Sequence, residues 1–191
     1  MIRILLLALA LGAVSSSAAM AEQVIKVPPF KSIELHGGGE ATLRHGERQR
    51  VVLIKGDPSV AEIRVTRDGT LLLSPCDSDH HWCWGEHELE VEVTTPAVAA
   101  ISVHGGGDLK AEGRFPRQPS LYLSVHGGGD ADVRAIPAEN VSVAVHGGGD
   151  ARVRAERMLT ADVHGGGDVH YWGHPAVNSS THGDGSVESG E

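Results

Sequence analysis

The sequence predicts an all-β protein: a single right-handed parallel β-helix, or β-solenoid, with 18–22-residue rungs and glycine-rich corners. Three observations predict it. The motif HGGG[ED] recurs along the chain. Runs of period-two alternation flank each copy. Glycine is abundant (25 of 191 residues) while Phe, Trp and Tyr together make 4%, which suits a narrow aliphatic interior rather than a large-residue core.

The motif stands as HGGGE at 36–40, as HGGGD at 104–108, 126–130, 146–150 and 164–168, and in altered form as HGDGS at 182–186. From His104 the steps are 22, 20, 18 and 18 residues, and 17 of the glycines belong to the motif. Alternating apolar residues precede each copy (Ile101 and Val103; Leu121, Leu123 and Val125; Val141, Val143 and Val145; Leu159, Ala161 and Val163). A second alternating run follows each one, such as Ala131 and Val133 or Ala151 and Val153. Alternation of this kind marks a half-buried strand, and a glycine cluster permits backbone angles that a Cβ forbids. The unit is therefore strand, corner, strand and a looser return such as Ile136-Pro137. A unit this short cannot bury its own apolar face, so stacking of parallel coils is expected.

The rest of the chain fits around this core. Residues 1–21 read as a signal peptide, with Arg3, an apolar stretch from Ile4 to Val14 and Ala19-Met20-Ala21 as a small-x-small cleavage site before Glu22. Loss of Arg3 takes the formal charge from -9 to -10 and leaves an acidic exported chain of 170 residues, 22–191, with no anchor expected. Strand-like stretches follow at Phe30 to Leu35, Ala41 to Arg44, Val51 to Lys55, Ala61 to Val65, Leu71 to Leu73 and Leu89 to Val93. Gly46, Gly56-Asp57-Pro58 and Asp68-Gly69 supply turns between them. Pro75 to His87 reads as a loop insertion, 22–186 as one continuous domain and 187–191 as a flexible tail. In an oxidising compartment Cys76 and Cys83 read as a disulfide, with a Cys/His metal site involving His80, His81 and His87 as the alternative. The absence of a strong basic patch makes nucleic acid a poor partner.

The order of these pieces resembles a bacterial family, the putative auto-transporter adhesin, head GIN domain. The resemblance rests on Phe30-Lys31-Ser32-Ile33, Gly56-Asp57, Asp68-Gly69-Thr70-Leu71 and the HGGGD series, and spans about residues 28–186. It implies a β-helical fold, export and no established enzyme activity. Two features depart from the family pattern. His stands where the corner usually opens on a small polar residue, and no barrel-forming strands follow the repeats, so no self-anchoring in an outer membrane is expected.

Stacked corners would align identical side chains about 4.8 Å apart. That predicts a column of His104, His126, His146, His164 and His182, extended by His36, and a column of Asp108, Asp130, Asp150 and Asp168, extended by Glu40. The interior residues before each motif have odd numbers and the histidines even ones, so the imidazoles should face solvent. Adjacent carboxylates repel by about 0.8 kcal/mol per pair in water. Hydrogen bonds from corner N–H groups, a cation between rungs or protonation of the histidines could each offset this. The corner is thus either purely structural, a transition-metal site for Zn, Ni or Cu with Asp as ligand or orienter, or a calcium site. The nonapeptide calcium roll does not fit, since steps of 20 and 22 are not multiples of nine. No G-x-S-x-G signature occurs, and a repeated identical carboxylate column lacks the differentiated pair of most acid–base sites. The expected function is a non-enzymatic binding or structural module of the cell envelope, periplasmic or at the surface, recognising a glycan or an envelope protein. A metal-binding periplasmic protein is the alternative, and a polysaccharide-acting enzyme the third.

Overall fold

A computed structural model describes residues 22–76 and 88–190. The proposed signal peptide, Cys83 and the histidines at 80, 81 and 87 lie outside the described residues. Sixteen strands occur among the described residues. Seven precede the repeats proper: β1 (Gln23–Ile25), β2 (Ser32–Gly37), β3 (Glu40–His45), β4 (Arg50–Lys55), β5 (Glu62–Val65), β6 (Thr70–Ser74) and β7 (Glu90–Thr95). Nine follow: β8 (Ala100–Gly105), β9 (Asp108–Glu112), β10 (Gln118–Gly127), β11 (Ala131–Asp132), β12 (Ala138–Gly147), β13 (Ala151–Gly165), β14 (Val169–Trp172), β15 (Ala176–His182) and β16 (Val187–Ser189).

Two parallel ladders carry the repeats. One runs β6, β2, β8, β10, β12, β13, β15, and contains every strand that leads into a corner. The other runs β7, β3, β9, β11, β13, β14, β16, and contains the strands that leave the corners. The long strand β13 belongs to both: Ala151 to Arg154 pair with β14, and Met158 to His164 pair with β15. One hydrogen-bonded sheet therefore wraps around a single core.

This corrects the expectation of one uniformly parallel right-handed β-helix over 22–186, and with it the β-helical fold implied by the family resemblance. The structure is a nearly closed, barrel-like sheet of mixed direction. β1 pairs antiparallel with β4, β4 antiparallel with β7, and β5 antiparallel with β6. The physical reason is local. Alternation fixes which face of a strand is buried but not the direction of its neighbour. Direction depends on the connection, and a short turn returns the chain antiparallel. Between β5 and β6 the turn over Thr66–Gly69 is closed by Thr66 N–H to the Thr70 carbonyl (2.9 Å) and Gly69 N–H to the Thr66 carbonyl (3.1 Å). Gly69 adopts φ +85° there, which a Cβ would disfavour.

The core is aliphatic, as the composition requires. On the first ladder, Ile33, Ile101, Leu123, Val143 and Ala161 are paired in register and buried. Leu35, Val103, Val125, Val145 and Val163 form the next interior row. The second ladder contributes Ala41, Leu109, Ala131, Ala151 and Val169. Phe30 and Phe115 are the buried aromatics among the described residues. On the first ladder side-chain volume thus falls from Ile and Leu near the first corner to Ala and Val near the last. The residues past 186, expected to fray, run as β16 beside β14.

Candidate functional site: an imidazole-lined outer face

Each strand entering a corner ends on His-Gly, and the ladder sets these histidines side by side: His36 against His104, His104 against His126, His126 against His146, His146 against His164, and His164 against His182. The residue before each of the first five is buried, so alternation turns the imidazole outward. Ring centroids lie 4.9, 4.9, 4.8, 5.1 and 4.8 Å apart along the series. From His104 onward successive rings are within 13° of parallel. His36 is tilted by 57° to His104, with its Nε2 drawn to 2.6 Å from Glu34 Oε1. The side chains of His36, His104 and His164 are about two-fifths exposed (44, 39 and 43%).

The corner itself explains two of its three glycines. At Gly147, φ is +132° and a Cβ would stand 2.3 Å from the Gly127 carbonyl oxygen; at Gly149 it would stand 2.0 Å from that of Gly129. These carbonyls belong to backbone hydrogen-bonded across the rungs: Gly148 and Gly149 N–H both donate to the Gly127 carbonyl, at 2.9 and 3.1 Å. The middle position is different. A Cβ at Gly148 meets nothing within 4 Å, and the last copy carries Asp184 at the equivalent place.

The aspartates close the corner from the far side. The N–H of Asp130 donates to Asp108 Oδ1 (3.0 Å), that of Asp150 to Asp130 Oδ1 (2.9 Å), that of Asp168 to Asp150 Oδ1 (3.0 Å) and that of Ser186 to Asp168 Oδ1 (2.8 Å). Each carboxylate therefore holds the next copy's backbone. Arg152 adds a cation between two of them, 3.5 Å from Asp130 and 3.1 Å from Asp150. Of the three ways to offset carboxylate repulsion, N–H donation operates at every step from Asp108 to Ser186. Glu40 lies in register with Asp108.

A third row runs beside the imidazoles. Two residues before each histidine, on the same outer face, stand Glu34, Ser102, Ser124, Ala144, Asp162 and Ser180, paired in register. Ser124 donates from Oγ to Ser102 Oγ at 2.8 Å in the middle of the row. The carboxylates stand at the two flanks. Glu34 Oε1 is 3.3 Å from His104 Nε2 as well as 2.6 Å from His36, and Asp162 Oδ1 is 3.3 Å from His164 Nε2. Partial burial holds the His104 imidazole below its usual pKa, opposed by the nearby Glu34 charge and reinforced by His36 and His126. A neutral ring is thus favoured where two other imidazoles press close.

The structure brings together all five sequence-predicted histidines with His36, and separately the four aspartates. Sequence reasoning missed Glu34 and Asp162. Their signal was present as Glu-x-His and Asp-x-His, a spacing that puts both side chains on one face of a strand.

A profile of the family described as "Putative auto-transporter adhesin, head GIN domain" matches residues 29–118 and 117–175. The chain belongs to this family. Among solved structures, this head GIN domain is similar to a putative adhesin from Bacteroides fragilis NCTC 9343, with TM-score 0.51 and 19% identity, covering 88% of this chain and 96% of that one. Putative adhesins from Parabacteroides distasonis ATCC 8503 (18% identity, TM-score 0.44, 88% and 96% covered) and Parabacteroides merdae ATCC 43184 (14%, 0.42, 90% and 96%) also match. At such identity the first of these supports the fold of the head GIN domain alone. No curated protein sequence matches it. Among its described residues no helix is long and apolar enough to cross a membrane.

Proposed function

We propose that this head GIN domain is an exported, non-enzymatic binding module of the cell envelope, adhesin-like in role, which presents its imidazole face to a surface glycan or an envelope protein. The observation that carries this reading is the row of six imidazoles at 4.8–5.1 Å spacing on an outer face. Such a surface repeats one donor–acceptor group along a line, which suits an extended ligand with many weak contacts. Its corner carboxylates Asp108, Asp130, Asp150 and Asp168 repeat one identical arrangement, where most hydrolases use a differentiated pair. Family membership supports the same assignment, and with it an exported or surface location.

Cleavage before Glu22 releases the chain to the periplasm or cell surface, and Cys76 bonds to Cys83 across the 75–87 insertion. Amino-terminal sequencing of the secreted form checks the first.

The binding role is tested on a glycan array and on whole bacterial cells, with the intact chain against a variant carrying His→Ser at 104, 126, 146 and 164. Serine removes the imidazole rings while leaving the buried neighbours in place. Loss of binding in a variant that retains its β circular dichroism is the expected result. Equal binding by both proteins would remove the imidazole face from recognition.

A further inference from the structure

We propose that the outer face carries two divalent transition-metal sites of the same design: Glu34, His36 and His104 at one flank, and Asp162, His164 and His182 at the other. In each set one ligand atom from every residue lies within 4.8 Å of the others. The construction is identical. A carboxylate stands two residues before a histidine in one strand, which places both on the same face. The histidine of the next rung completes the set through the parallel register, His36 with His104 and His164 with His182.

The distances match the task. A tetrahedral ion with ligand bonds of about 2.0–2.1 Å has its ligand atoms about 3.3 Å apart. Glu34 Oε1 already stands 3.3 Å from His104 Nε2, and Asp162 Oδ1 stands 3.3 Å from His164 Nε2. At the first flank Glu34 Oε1 and His36 Nε2 are 2.6 Å apart and need only part slightly. All six side chains are at least partly exposed, so ions can enter from solvent.

Donor chemistry selects the ion. Two imidazole nitrogens and one carboxylate form a borderline set that suits Zn²⁺, Ni²⁺ or Cu²⁺, whereas calcium and magnesium want oxygen ligands. Three protein ligands leave a further position open to water or to a group on another molecule. The intervening rungs act as an internal control. His126 and His146 stack equally well, 4.8 Å apart, yet have Ser124 and Ala144 where a carboxylate would be needed. The Asp108, Asp130, Asp150 and Asp168 row is engaged with backbone N–H groups, so the metal carboxylates come from the other side of the histidines.

Metal uptake is separable from the adhesive role, since it is read as ion stoichiometry and not as recognition. The chelator-stripped intact chain is titrated with Zn²⁺ by calorimetry, beside Glu34→Gln, Asp162→Asn and the double variant. Each single variant should take up one ion fewer per chain, and the double variant two fewer, whatever the loop histidines at 80, 81 and 87 contribute. Both changes keep side-chain shape at a surface position, so the fold should survive. X-ray absorption of the zinc-loaded unmutated protein gives a second measure, with two imidazoles and one carboxylate expected around the ion. Unchanged uptake in the double variant, or a zinc environment without imidazole, overturns the proposal. Metal uptake without cell or glycan binding would instead refute only the adhesive reading.

Discussion

Substituting the first and second glycines of one corner separates the demands of the backbone from those of the motif. In Gly147→Ala the new Cβ would sit 2.3 Å from the Gly127 carbonyl oxygen and 3.0 Å from its carbon, with φ at +132°. A non-glycine residue in such a conformation costs about 1–3 kcal/mol. Overpacking against rigid backbone adds about 1–3 kcal/mol. The obstructed carbonyl also accepts from Gly148 and Gly149, so any shift that relieves the clash weakens those bonds. The expected loss is about 3–5 kcal/mol, a large share of the ~5–15 kcal/mol that holds a domain together. For a chain of this size each kcal/mol moves the melting temperature by about 2–4 °C, so a fall of between about 6 and 20 °C is expected. In Gly148→Ala the Cβ meets nothing within 4 Å, and the residue has no left-handed φ. Its effect should lie between neutral and a gain of about 1 kcal/mol from reduced freedom of the unfolded chain. Thermal unfolding by circular dichroism or calorimetry compares the three proteins. Equal melting temperatures for both variants, or a larger fall for Gly148→Ala, would refute the assignment of close carbonyl approach to the first glycine.

Two further perturbations bear on the charged rows. Asp150→Ala removes the acceptor for Asp168 N–H and one of the two carboxylates beside Arg152, and should cost about 1.5–3 kcal/mol, as for a hydrogen bond to a charged group. Asp150→Asn retains an acceptor oxygen and loses only a partly exposed ion pair, so it should cost about 1 kcal/mol or less; urea unfolding that ranks the two equally would rule out the backbone tie. Stability should also fall on acidification in two stages. The folded pKa of His104 lies below its unfolded value near 6.5, chiefly through burial, so its contribution is complete above that pH and is lost as pH falls through the folded pKa. Asp132, held low despite burial by Arg134, Asp68, held low by Thr66 and Thr70, and Glu112, held low by Lys110 and Arg44, withdraw theirs below their unfolded values of about 4. Melting temperatures from pH 8 to 3 trace both stages, and His104→Asn should flatten the first; a flat profile between pH 8 and 5 in the unmutated protein contradicts the crowded-imidazole account.

The corners were legible because their information is local and repeated. Val-His-Gly-Gly-Gly-Asp states a buried residue, an outward one and a backbone that tolerates no Cβ at its first and third glycines, and the near-constant steps place each copy beside the last. The interior was legible for the same reason, from the odd-numbered aliphatics. Strand direction in the N-terminal half was not. Val51 to Lys55 and Glu62 to Val65 alternate or run apolar as well as any repeat strand, yet β4 and β5 run antiparallel to their neighbours. Only the connections decide that, and the Gly56-Asp57-Pro58 and Asp68-Gly69 turns signal a bend without naming the partner. Glu34 and Asp162 do not stand out from the repeat, because they sit at a position where the copies differ.

The aspartate contacts give the array a polarity. Each carboxylate fixes the backbone of the copy that follows it, so rung position is passed toward the C-terminus one step at a time. The first copy, with Glu40, sends no such tie, since Asp108 N–H goes to the Gly39 carbonyl instead. The last copy receives a double one, from Ser186 N–H and Oγ to Asp168, and holds a hydroxyl where the others hold a carboxylate. The two imperfect copies are thus a start and a stop. An additional HGGGD unit inserted between Asp108 and Asp168 inherits both a donor and a recipient, whereas one added after Ser186 meets a hydroxyl in place of the carboxylate that ties each copy to the next.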